Sequence, residues 1–357
     1  MPSPWDSFRS VRDVRRIEDE YVEIDLGAGP RRLARGQRHL DLRPGGDATV
    51  AVPAGGDVDW SQLDRLPSCI AIDWSGPDRG LCAALAAHPA ITSLRWDDAD
   101  GAVELPETLR VLRLFAPRAG FLVGAPDLGY QLDLRLRDAP GDAVPPGLRR
   151  VRRLWITGGG TMSAAPLAAL DDLERLRLTF TAGPGSLVDL PAIAGHERLA
   201  SLWLDAAYGL DPAALPDLPA LRHLVLALTR RTIATTLTRR FADGPVALEI
   251  SGARSAMWLT SNLDNPFRDW IDRSRPFAEE ACAAYRRAAR ALADPTPETA
   301  ERALRGLIAD LSAINDAYDL IDTDLREQAW LAYRDLAARL GVPAASAEPW
   351  FDSERRF

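Results

Sequence analysis

The chain has 357 residues, of which 46% are hydrophobic and 26% are charged, so it is long and apolar enough to bury a core and a mainly disordered protein is excluded. All 43 basic residues are arginine, and the formal net charge is −8. This negative net charge disfavours broad nonspecific binding to the phosphates of nucleic acids. The three cysteines, Cys69, Cys82 and Cys282, are widely spaced and form no CxxC pair, so neither a disulfide framework nor a zinc site is predicted.

The first 59 residues are predicted to form an N-terminal cap with short strands. Segment 1–20 is charged and lacks the apolar region of a signal peptide, and no stretch of the chain approaches 18 apolar residues. We therefore expect a cytoplasmic protein that does not cross a membrane. The cap strands are expected within 21–52, where "YVEIDL" and "HLDL" alternate apolar and polar residues.

One phrase then recurs along the chain: an apolar residue, two others, an apolar residue, one other and an apolar residue. The first residues of the closing apolar-x-apolar triplets are Ile70, Leu94, Leu112, Leu134, Leu154, Leu176, Leu202, Leu224 and Leu248. The intervals between them are 24, 18, 22, 20, 22, 26, 22 and 24 residues. Since side chains alternate between the two faces of a strand, each triplet predicts one strand with its apolar residues in a core.

This repeat resembles the leucine-rich repeat family over residues 60–252, in about nine copies. The resemblance implies an α/β repeat solenoid, a horseshoe with a parallel sheet on its concave side, and a protein-binding surface on that sheet. The sequence departs from the family where an asparagine or cysteine usually follows the last strand leucine by three residues. Those positions hold Ser75, Ala99, Pro117, Ala139, Gly159, Thr181, Ala207 and Thr229, so the turns must satisfy their backbone groups in another way.

Residues 253–357 show helical periodicity and are predicted to form a helical cap or a small bundle. Three helices are expected, within 276–294, 296–314 and 322–343, with Thr296 as an N-cap and Pro343 as a stop. Their buried stripes are predicted to be Phe277, Ala281, Ala284, Ala288 and Leu292; Ala300, Leu304, Leu307, Leu311 and Ile314; and Leu325, Ala329, Leu336 and Leu340.

Three stretches partly match known binding or catalytic motifs. The turn Gly27-Ala28-Gly29 follows a strand pattern, as in Rossmann-like methyltransferases, but the last glycine of that motif is missing and a hairpin turn is favoured. "TGGGT" at 157–161 lacks the lysine of a P-loop. The acidic stretch 314–328 lacks the glycine of a calcium loop, so helix capping by Asp322 or Thr323 is favoured. No nucleophile has a positioned base, and we predict a non-enzymatic protein without cofactor or metal.

The predicted outward face of the sheet is the remaining candidate site. His88 and His196 are interpreted as packed repeat residues, whereas His223 is predicted to face outward. Arginines and aromatic residues concentrate on this face although residues 90–240 carry 18 arginines against 17 acidic residues. The predicted partner-binding residues are Arg95, Arg113, Phe115, Arg135, Arg137, Arg153, Trp155, Arg175, Arg177, Trp203 and His223.

These residues predict a module that binds a protein or peptide with an acidic contact region, as an adaptor, scaffold or immunity-type protein. The arginines would pair with carboxylates and the aromatic side chains would supply apolar area. One alternative is binding of phosphate or nucleic acid by the same arginines. Another is an enzyme or ligand-binding protein that uses Gly27-Ala28-Gly29 or the C-terminal acidic cluster. A third reading has the acidic segment 241–357, with 14 arginines and 20 acidic residues, neutralising the arginines internally.

Overall fold

The computed structural model describes residues 21–44, 48–139, 141 and 144–357, so the expectations for segment 1–20 lie outside the described residues. The chain divides into two compact units. The first holds the described residues up to Ala227 together with Thr235–Glu249, and the second holds Leu228–Ala234 with Ile250–Phe357. No helix in the described ranges is long and apolar enough to cross a membrane.

A large sheet of ten parallel strands dominates the architecture, with a helical region after it. In spatial order the strands are β3 (His39–Asp41), β4 (Ala71–Pro77), β5 (Ser93–Asp100), β7 (Val111–Phe115), β9 (Asp133–Arg137), β10 (Arg153–Gly158), β12 (Arg175–Phe180), β14 (Ser201–Asp205), β15 (His223–Ala227) and β16 (Ala247–Ser251). Spatial order follows chain order, so each connection leads to the adjacent strand. Three two-stranded sheets accompany it: β1 (Tyr21–Ile24) with β2 (Arg31–Ala34), β6 (Ala102–Glu104) with β8 (Leu122–Gly124), and β11 (Thr161–Ser163) with β13 (Ser186–Val188).

The strands pair in register, so equivalent residues form rows across the sheet. Leu94, Leu112, Leu134, Leu154, Leu176, Leu202 and Leu224 stand in one row, and each is at most 3% exposed. Burial of each such leucine contributes about 1.5–3 kcal/mol, which explains why the alternating sequence forms strands. The predicted place of Ile70 in this row is wrong, because Ile72 pairs with Leu94 whereas Ile70 precedes the strand and is 36% exposed.

The turns that follow the strands contain a recurring left-handed residue, two positions after the last inward side chain. These residues are Gly76, Asp98, Ala116, Asp138, Ala206, Leu228 and Gly252, with φ between 45° and 87°. The N–H groups of several of these residues continue the hydrogen-bond ladder to the next strand: Ala116 donates to the carbonyl of Arg137 and Ala206 to that of Ala227, each at 2.8 Å. Backbone hydrogen bonds of this kind serve the turns in the absence of an asparagine row.

The connecting segments and the second unit supply the helices. They are α1 (Leu81–Ala87), α2 (Arg231–Phe241), α3 (Ala256–Asn262), α4 (Arg275–Ala289), α5 (Pro297–Tyr318), α6 (Thr323–Arg339) and α7 (Ala344–Glu354). Thr296 and Asp322 cap α5 and α6 through side-chain oxygens, as predicted. The predicted stripes are buried, except that Leu292 lies after α4 and is only partly buried. As predicted, α6 ends before Pro343, but Pro343 then stands at the N-terminus of α7, which was not predicted.

Candidate functional site

One face of the large sheet carries the leucine rows, and the side chains that alternate with them form what we call the open face. Its central row runs Asp41, Asp73, Arg95, Arg113, Arg135, Trp155, Arg177, Trp203 and Val225. The preceding row includes Asp133, Arg153, Arg175, Ser201 and His223, and the following row includes Asp97, Phe115, Arg137, Thr179 and Asp205. The eleven predicted site residues therefore lie in three adjacent rows of one face.

Cation–π contacts connect arginines and tryptophans along the central row. The guanidinium carbon of Arg135 lies 5.1 Å from the ring centroid of Trp155, and that of Arg177 lies 4.3 Å from the same ring. Arg177 also lies 5.0 Å from the ring of Trp203. Since neighbouring strands are about 4.8 Å apart, Trp155 on β10 is within reach of the arginines on the strands to either side, β9 and β12. Phe115 has a similar role, with Arg95 at 4.0 Å and Arg137 at 5.8 Å.

Hydrogen bonds fix the orientation of the tryptophan side of this row. The indole N–H of Trp155 donates to the hydroxyl of Thr179 at 3.1 Å, and that hydroxyl donates to Asp205 at 3.0 Å. Asp205 also accepts from Nε of Arg177 at 2.6 Å and forms an ion pair with Nη2 of the same guanidinium, likewise at 2.6 Å. Four side chains on three strands thus hold one another in place, so Arg177 and Trp155 are preorganised before any ligand arrives.

Three arginines of the open face have no partner among the described carboxylates. Arg153 and Arg175 are paired positions on β10 and β12, both are exposed, and neither forms an ion pair with a described carboxylate. Arg113 likewise has none, and its Nε is buried without an acceptor among the described residues. Arg135 does have a carboxylate partner, Asp133, but their ion-pair distance of 3.6 Å is too long for a hydrogen bond. These side chains leave several guanidinium donors available to an incoming anion.

Arg153 and Arg175, which have no described carboxylate partner, and Arg135 and Arg177, which have one, surround an open pocket of about 390 Å³. Its polar lining contains four arginines against a single carboxylate, together with two indole rings: Arg135, Arg153, Arg175, Arg177, Asp133, Trp155 and Trp203. Trp203 is 40% exposed, which is unusual for so large an apolar ring. The pocket therefore offers bidentate donors for carboxylates or phosphates beside an apolar platform.

The other end of the central row is acidic, and the sequence analysis missed it. Asp41 and Asp73 occupy the row on β3 and β4, and Arg43 reaches both of them and Asp97. The hydrogen bonds from Arg43 lower the pKa of Asp41 from its ordinary value. His39 contacts Asp73 at 2.9 Å. The stretch "AIDW" already contained the pattern that places Asp73 in the central row. The sequence analysis assigned Ile70 instead of Ile72 to the leucine row, so Asp73 was not assigned to the outward face.

Three histidines differ in their burial. His196 is 6% exposed, as predicted for a packed residue, and burial lowers its pKa. His88 is only partly buried, and its ring contacts the carbonyl of Ala84 at 2.7 Å and Asp64 at 3.1 Å. His223 is exposed on the open face, as predicted. None of the three joins a described cluster of metal-ligating side chains.

At the two rival sites, several polar groups are engaged within the chain. Gly27-Ala28-Gly29 lies in the turn of the β1–β2 hairpin, where the amides of Gly27 and Gly29 donate to Asp25 at 2.8 and 3.0 Å. Those amides are therefore engaged within the turn, and no helix follows it. In the acidic stretch, Asp322 caps α6 and pairs with Arg273, and Asp316 pairs with Arg356.

Comparison with known proteins adds no assignment. None of the protein-family models scanned matches the chain, and a search of curated proteins finds no match. The functional interpretation therefore depends on the residues and geometry of the open face.

Proposed function

We propose that the chain is a solenoid of the leucine-rich repeat type whose open face, on the concave side, binds a protein or peptide segment rich in carboxylates. Residues 60–252 would form the repeats, preceded by a cap and followed by a helical region. The in-register leucine rows and the regular left-handed turns support this architecture, since equivalent residues recur at equivalent places. Its role would be that of an adaptor, a scaffold or an immunity-type protein rather than an enzyme.

The observation that carries this proposal is the pocket around Arg153 and Arg175. Two adjacent guanidinium groups without carboxylate partners favour an anion that can bridge them. The rings of Trp155 and Trp203 would contact apolar side chains next to that anion, in the arrangement typical of interface hot spots. A peptide supplies both kinds of group along an extended backbone. A nucleic acid would instead require a broad positive field, which a chain of net charge −8 does not provide.

Affinity capture from the source cells tests this function with two matched variants. The first, Arg153→Ala with Arg175→Ala, removes the unpaired arginines of the pocket. The control, Arg118→Ala with Arg149→Ala, removes the same charge from exposed arginines outside the strands. Quantitative mass spectrometry of the captured proteins at low and high salt then compares both variants with the original chain.

We expect the pocket variant to capture at least about tenfold less of one partner, whose recovery by the control variant is unchanged. The reason is that each guanidinium–carboxylate contact contributes roughly 1.5–3 kcal/mol to binding. High salt should weaken capture of that partner. Equal recovery by both variants, or no recovery by the original chain, would contradict the proposal. Loss of the partner after nuclease treatment would favour the nucleic-acid alternative.

A further inference from the structure

A second pocket, of about 630 Å³, opens within the second unit beside α3 and α4. This volume lies in the range of about 300–1,000 Å³ that small-molecule sites occupy. Its lining combines cationic and apolar side chains, among them Arg231, Arg254, Arg275, Arg286, Met257 and Trp258.

Two of the four arginines are held by carboxylates. Arg254, whose side chain is 7% exposed, donates to both oxygens of Asp272 at 2.9 and 2.6 Å and to Asp269 at 3.2 Å. Arg275 pairs with Glu279 one helical turn later, at 2.8 Å. Among the described residues, Glu279 is the only carboxylate that lines the pocket, and its ion pair with Arg275 occupies it. Arg254 and Arg275 are thus held in place by carboxylates and form part of the pocket wall. Binding of a further anion would depend on Arg231 and Arg286.

Arg231 and Arg286 have no ion pair with any carboxylate in the described part of the chain, and both are exposed. Arg286 donates a hydrogen bond to the side-chain oxygen of Asn262. Asn262 is 5% exposed, and its amide nitrogen donates to the carbonyl of Trp258 at 3.0 Å. The buried amide holds one nitrogen of Arg286 in place, and the remaining donors of that guanidinium are available to a ligand.

The apolar part of the lining lies beside these charges. The indole N–H of Trp258 donates to the carbonyl of Arg268 at 3.2 Å, which fixes the plane of the ring. Met257 is 83% exposed, although methionine is among the residues most often buried. A flat apolar group could remove both side chains from water without displacing any hydrogen bond that the structure contains.

We infer that this pocket binds a small aromatic phosphate of nucleotide size. A phosphomonoester carries close to two negative charges at neutral pH, because its second pKa is about 6, so it matches the two unpaired guanidinium groups, whereas a carboxylate would match one. The phosphate contacts Arg231 and Arg286, and the aromatic body packs against Trp258 and Met257. This inference is independent of the open face, which lies in the other unit.

Isothermal titration calorimetry of the full chain tests the pocket with adenosine 5′-monophosphate, adenosine and inorganic phosphate as probes. We expect the monophosphate to bind more tightly than either half of the molecule. Arg231→Ala and Arg286→Ala should each weaken its binding about tenfold or more. Arg290→Ala and Arg302→Ala remove the same charge from exposed positions of the same unit and should leave it unchanged. Met257→Ser should weaken the binding of adenosine 5′-monophosphate but not the binding of inorganic phosphate.

The inference is overturned by the absence of heat on adding the monophosphate, by equal affinity for inorganic phosphate, or by equal losses in the Arg290 and Arg302 controls. Far-UV circular dichroism of each variant checks that the helices remain folded. Because all substituted side chains are exposed, we expect the same spectra as for the original chain.

Discussion

Replacing Ala116 by glycine should stabilise the first unit. Ala116 has φ of 45° in the turn after β7, and its N–H donates to the carbonyl of Arg137 at 2.8 Å. A left-handed conformation costs an alanine about 1–2 kcal/mol, which glycine avoids. Glycine loses about 0.5–1 kcal/mol more conformational entropy on folding. Ala116 is exposed, so no buried contact is lost, and the expected net gain is about 0.5–1 kcal/mol in free energy of unfolding.

Urea denaturation followed by tryptophan fluorescence measures this gain, because Trp74 and Trp96 are buried in the same unit. The control is Ala247→Gly at an exposed position of β16, where extended backbone makes glycine unfavourable by about 0.5–1 kcal/mol. Both substitutions remove one methyl group, but they should change the free energy of unfolding in opposite directions. A loss of stability in Ala116→Gly as large as in the control would refute the account of the turns.

Three further outcomes follow from the contacts described above. Burial lowers the folded-state pKa of His196, so the unfolded chain binds more protons than the folded chain at acidic pH. The first unit should therefore lose stability as the pH falls below about 6.5. In urea denaturation at several pH values, His196→Leu should reduce this dependence of the free energy of unfolding on pH. Asp205→Ala should cost about 1–2 kcal/mol, because Arg177 and Thr179 lose their acceptor; an unchanged urea midpoint would argue against the network. Thr296→Ala should cost the second unit about 1 kcal/mol by removing a cap, measurable by circular dichroism during thermal unfolding.

The sequence was most informative where burial alone decides the structure. Leucines such as Leu176 and Leu202 have strictly alternating neighbours, so their strands, their register and the outward rows could all be predicted. The amphipathic stripes of α5 and α6 could be predicted for the same reason, since one face of each helix is apolar. The predicted site residues followed directly, because alternation places every second strand residue on the opposite face.

Prediction failed where two local readings were equally good. "IAIDW" contains two overlapping triplets, beginning at Ile70 and Ile72, and only pairing with Leu94 selects the second. Pro343 suits both the end of one helix and the start of the next, so α7 was missed. The threonines of α2 favour strand over helix by intrinsic propensity, which concealed that helix. Which arginines lack carboxylates depends on side-chain geometry and could not be predicted.

The exclusive use of arginine has a consequence for how the open face could be regulated. A guanidinium stays protonated at every pH that a cell reaches, and it is not a target for acetylation as a lysine amine is. For the complex proposed at the open face, control could instead act through ionic strength or through a change on the partner, such as phosphorylation near its acidic residues.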